Sequence, residues 1–113
     1  MSVNNVSYRD AMATRTIGSF TGHTAAGWVH VQLRKVTKGW LYWNSDSLLF
    51  MLDVEPISPS DFLVLPFEEI GMPRSKYLLW NGELDFLNGQ FVFHGQRKQI
   101  RQLQGELDRF HTL

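Results

Sequence analysis

Cysteine is missing from this 113-residue chain. That excludes disulfides, thiolate metal sites and a cysteine nucleophile, so the fold must stand on packing alone. Proline is scarce, and two of the four, Pro56 and Pro59, fall within VEPISPSD, residues 54–61. They forbid a regular central strand there and mark a loop. An excess of one charge is lacking as well: 11 basic and 11 acidic residues cancel, and the pI is near 6.9. Double-stranded DNA binders draw most of their affinity from a basic excess, so nucleic acid is not an expected partner. No apolar run approaches the ~20 residues of a membrane span. The opening residues, MSVNNVSYRDAMATRT, carry no apolar signal-peptide core. The expectation is a soluble, cytoplasmic protein.

Hydrophobic residues make up 43% of the chain and charged residues 19%, enough apolar material for a packed core. Residues 1–16 are polar with scattered apolar positions (Val3, Val6, Met12) and read as an arm or short helix. Residues 17–113 read as one domain. In GWVHVQLRK, Val29, Val31 and Leu33 alternate with His30, Gln32 and Arg34, the period of a half-buried strand. GWLYWN and SLLFMLD follow as a hairpin across Asn44–Ser45–Asp46. FLVLPFEEI is a short strand interrupted or ended at Pro66. In KYLLWNGELDFLNGQFVFHG, the Asn81–Gly82 and Asn88–Gly89 pairs predict two tight hairpins, because a type I′ turn needs positive φ at both central residues. Leu84, Phe86, Phe91 and Phe93 then point inward, with Asp85 and His94 outward.

After Gly95 the period changes to about 3.6, with Ile100, Leu103, Leu107 and Phe110 on one stripe. Gly105 within this helix is read as a point of close approach to a sheet. The whole is mainly β with one C-terminal helix, and the helix must cover an open end or face of the sheet to bury its stripe.

The run KGWLYWNSDSLLF, then LPFEEI, ELDFLNGQFVFHG and the helix with Ile100 and Leu103, resembles the GRAM and pleckstrin-homology superfold. The resemblance spans roughly residues 27–110 and rests on core and turn positions. It implies a bent barrel of about seven strands plugged by the terminal helix. It also implies a choice of roles, since that superfold hosts lipid binders, peptide binders and scaffolds. Lipid-binding members grip inositol phosphates with basic residues in the loop between the first two strands, where this chain has Arg34, Lys35 and Lys38. The strand that follows lacks the further cations of that pattern and carries Trp40, Leu41, Tyr42 and Trp43 instead. A solvated turn is the better reading of these three residues. An anionic membrane surface is the alternative partner.

Arg97, Lys98 and Arg101 open the last helix at the unfavourable end of its dipole, with Glu68, Glu69 or Asp85 as candidate counter-charges. The aromatic residues are more informative. Trp28, Trp40, Tyr42, Trp43 and Trp80 lie in strand-like runs, and strict alternation cannot bury them all. Trp40 and Tyr42 share a face. An even loop before them pairs that face with Val31 and Leu33, an odd one with His30 and Gln32. Trp28, Trp40 and Tyr42 are therefore the candidate residues for binding a protein partner or a second copy of the chain. The four histidines, His23, His30, His94 and His111, have no metal-ligand spacing, and Glu68 and Glu69, adjacent on a strand, would face opposite ways. No catalytic motif, metal site or cofactor is expected, and the reading is a non-enzymatic interaction module.

Overall fold

Seven antiparallel strands follow one another in a single sheet whose two ends never meet. The computed structural model describes residues 8–18, 24–32, 34–54 and 56–112. The expected apolar positions Val3 and Val6, with His23 and Leu33, lie outside the described residues. The chain runs α1 (Tyr8–Ile17), β1 (Thr24–Val31), β2 (Thr37–Trp43), β3 (Ser47–Leu52), a 3-10 turn at Pro59–Asp61 and β4 (Phe62–Pro66). It continues through α2 (Phe67–Ile70), β5 (Arg74–Leu78), β6 (Asn81–Phe86), β7 (Phe91–Gln96) and α3 (Arg97–Thr112). The order across the sheet is β4-β3-β2-β1-β7-β6-β5. The sheet is bent rather than closed, and α3 plugs its concave side as the sequence predicts.

Alternation sets the inner face. Ala25 and Val29 on β1, Leu41 and Trp43 on β2, Leu48, Phe50 and Leu52 on β3, and Leu84, Phe86, Phe91 and Phe93 on β6 and β7 are buried together. Ile100, Leu103 and Leu107 of α3 close this core, and Phe110 meets Phe67 edge-on at 5.5 Å between ring centres. The bend has a simple cause. Gly27 pairs with Gly39, and Gly82 with Gly95, so glycines on four adjacent strands form a crease. A Cβ on Gly27 would lie 2.0 Å from the His94 carbonyl oxygen, so only glycine lets β1 and β7 approach this closely there.

A second, smaller core sits on the outer face. Helix α1 lays Ala13 over Tyr42, Leu49, Met51 and Ile57, with Met12, Ile17, Trp40 and Phe62 at its margin. The outer residues Leu49 and Met51 and the inner residues Leu48, Phe50 and Leu52 are thus all buried, and β3 shows no alternation. The described part of the arm, α1, thus packs against the sheet.

Two local expectations are corrected. The Asn81–Gly82 pair is not a turn: Leu78 pairs with Asn81, so the loop is Leu79–Trp80. Gly82 sits instead in β6 opposite Tyr77, whose ring covers it, and a Cβ there would be 3.0 Å from Tyr77 Cδ1 and 3.1 Å from Ile100 Cδ1. The second pair does turn, within a loop of residues 87–90 in which Asn88 and Gly89 take φ of 57° and 87°. Gly105 faces open space rather than the sheet.

Candidate interaction surface

Register decides which aromatic rings are free. Trp40 pairs with Ala26, Tyr42 with Thr24 and Lys38 with Trp28, which puts Trp40 and Tyr42 on the face of Trp28 and His30. This is the odd-loop arrangement. Most of that face above β2 and β3 is occupied by α1. The Tyr42 hydroxyl donates to Asp10 Oδ1 at 2.6 Å, and the ring is fully buried. Burial, reinforced by the Asp10 carboxylate, holds its pKa well above the ordinary tyrosine range. Tyr42 is therefore withdrawn from the candidate binding residues, because the chain's own helix already covers it. Trp40 is half-buried, with the Arg9 guanidinium 4.6 Å from its ring centre. Arg9 also pairs with Asp53, which fixes the cation over that ring.

Trp28 takes no part in the core beneath this helix. It is 49% exposed and forms one wall of a groove of about 420 Å³ on the convex side of the crease. Leu78 lines the groove too, with Lys76 and Asn81. Its floor carries Glu83 and His94, neighbours across β6 and β7 with 3.3 Å between Oε1 and Nδ1. An apolar wall faces a small set of charged and amide groups, the composition of a recognition groove.

The β5–β6 hairpin ends beside this groove in exposed Leu78, Leu79 and Trp80. Sequence reasoning placed Trp80 in a strand before a turn and so missed it. The signal was present as three bulky apolar residues immediately before Asn–Gly. Arg97 and Arg101, read from the sequence as part of a solvated helix face, lie 5.2 and 5.7 Å from the Tyr77 ring.

Arg34, Lys35 and Lys38 have different surroundings. Arg34 donates to the Ser60 carbonyl oxygen at 3.4 Å and lines a hollow of about 160 Å³ that also contains Asp61 and apolar Phe50, Phe62 and Phe91. Asp61 is held ionised below the usual carboxylate range, first by the Ser58 backbone and side-chain hydrogen bonds, with Arg34 a lesser cause. Lys35 is exposed outside that hollow, and Lys38 stands across from Trp28. Among the described residues, no group of three or more His, Asp or Glu side chains could hold a metal ion. Nor is any described helix long and apolar enough to cross a membrane.

No family model and no curated protein matches the sequence. Among solved structures, the chain is similar to the C-terminal domain of an unknown protein from Leishmania infantum. Identity is 11%, over 79% of this chain and 84% of that one, with a TM-score of 0.52. At that identity the likeness is one of fold.

Proposed function

We propose that the protein is a non-enzymatic interaction module of the pleckstrin-homology and GRAM type, working in the cytoplasm and taking a protein partner against Trp28 in the convex groove. One observation carries this reading: Trp28 is a large ring left half-exposed at a groove, while on β2 Tyr42 and Trp43 are buried and Trp40 is half-buried beneath Arg9. Exposed tryptophan beside a recess is the side-chain type that anchors protein interfaces. The strand order and the terminal helix agree with the superfold named from the sequence. Engagement of Arg34 with the Ser60 carbonyl, in a hollow that neither Lys35 nor Lys38 lines, weighs against a headgroup clamp in the β1–β2 loop, since several cations must meet on one phosphate cluster.

The test is capture from cells of the native host with three full-length baits: wild type, Trp28→Ala, and the triple reversal Arg34→Glu, Lys35→Glu, Lys38→Glu. The reading expects a specific partner on wild type and on the triple variant, and its loss on Trp28→Ala. Retention by Trp28→Ala together with loss on the triple variant would move the site to the β1–β2 loop. Sedimentation of the free protein separates a second copy of the chain from a different partner.

A further inference from the structure

The β5–β6 loop puts bulky side chains where turn chemistry disfavours them. Leu79 takes the left-handed conformation, φ 53°, which costs a non-glycine residue on the order of 1 kcal/mol. Asn81 and Gly82, far better suited to such a conformation, follow directly and are not used for it. The result is a tip at which Leu78, Leu79 and Trp80 are 70%, 82% and 83% exposed. The tip is also tied down. The Arg97 backbone N–H donates to the Trp80 carbonyl at 2.7 Å, and the Arg97 guanidinium donates to the Leu79 carbonyl at 3.3 Å. Arg97, Lys98 and Arg101 then line the same hollow as Leu79 and Trp80, about 580 Å³, with no acidic side chain in its walls.

From this we propose that the β5–β6 tip docks the protein on an anionic lipid bilayer. Leu79 and Trp80 enter the interface, and Lys98 and Arg101 lie against lipid phosphates. The hollow adjoins the Trp28 groove, sharing Asn81 and Gln96 with it, but neither Trp28 nor a residue of the β1–β2 loop lines it. A bilayer fits the tip better than a protein does. A standard protein interface needs ~800 Å² from each partner, which a wedge of two or three side chains on a hairpin end cannot supply. A bilayer deforms around such a wedge, tryptophan favours the headgroup level, and nearby cations add to the attraction. One small wedge with a few cations gives reversible attachment, not a permanent anchor. With formal net charge of zero over the whole chain, the attraction is local and so sets the orientation of docking.

The experiment is cosedimentation of the full-length protein with phosphatidylcholine vesicles, with and without phosphatidylserine, across a salt series. Wild type should bind the mixed vesicles, weaken as salt rises, and bind phosphatidylcholine alone much less. Trp80→Ala should weaken binding about tenfold or more, the loss expected for a large buried ring. Lys98→Gln with Arg101→Gln should weaken it about fivefold per charge. Trp28→Ala should bind vesicles like wild type, which keeps this result apart from that of partner capture. Each variant is first matched to wild type by its melting curve. Absence of wild-type binding to the mixed vesicles overturns the proposal, as does unchanged binding by Trp80→Ala. Equal binding to the two kinds of vesicle overturns it too. So would loss of partner capture by Trp80→Ala with no vesicle binding at all, which would make the tip a protein contact.

Discussion

Gly27 and Gly105 show how differently two glycines serve one chain. A side chain on Gly27 would meet the backbone of the adjacent strand at 2.0 Å, so β1 or β7 would have to move. Gly27→Ala should lower stability by about 1–3 kcal/mol, as overpacking does. At Gly105 nothing lies within 4 Å, and the helical backbone there suits alanine. Gly105→Ala should raise stability by about 0.4–1 kcal/mol, chiefly by restricting the unfolded chain. Paired denaturant titrations check both signs. Tyr42 supplies a prediction in pH. Its folded pKa lies above the unfolded value of about 10, so above that pH the unfolded chain releases a proton that the native state keeps. The stability contributed is complete below about pH 10 and is lost as pH rises beyond it. Tyr42 phenolate absorbance should appear only with unfolding, and Tyr42→Phe should remove that alkaline loss. The same substitution removes the bond to Asp10, costing about 1–2 kcal/mol at neutral pH.

Among the elements, α3 was the most legible and α1 the least, for physical reasons. The stripe of α3 runs over about three turns, and its burial follows from geometry alone. Leu103→Ala should therefore cost about 2–5 kcal/mol, a large share of the ~5–15 kcal/mol available to a domain this size. A mild effect in thermal melting would mean that the helix does not plug the sheet. For α1, the clue lay elsewhere in the chain. SLLFML in β3 has no polar alternation, and a strand without alternation is covered on both faces. Read that way, the run calls for a second layer on the outer face, and α1 supplies it. The β5–β6 turn was misread because local turn chemistry favours Asn–Gly, whereas packing uses Gly82 as the flat place for Tyr77 beneath α3. The second turn kept its local logic. Gly89→Val should cost roughly 1–2 kcal/mol at its φ of 87°.

At the scale of the molecule, one bent sheet is packed on both sides: α3 fills the concave face, and α1 covers part of the convex face. Sequence periodicity puts Trp40 and Tyr42 on one face but leaves open whether Trp28 shares it; the β1–β2 register places all three together. Periodicity could not tell which of the three remained open, because that depends on where a weakly patterned helix comes to rest. The helix covers Tyr42 and half of Trp40 and leaves Trp28 beside the groove. This division between covered and open rings is the centre of the functional account, and the binding isotherm of the recovered partner with two variants tests it most directly. Trp28→Ala should weaken affinity by ~2 kcal/mol or more, the loss typical of a central interface anchor, with an unchanged melting temperature. Trp40→Ala should lower the melting temperature and leave affinity within error of wild type. Full affinity in Trp28→Ala, with the loss found in Trp40→Ala instead, would contradict the account.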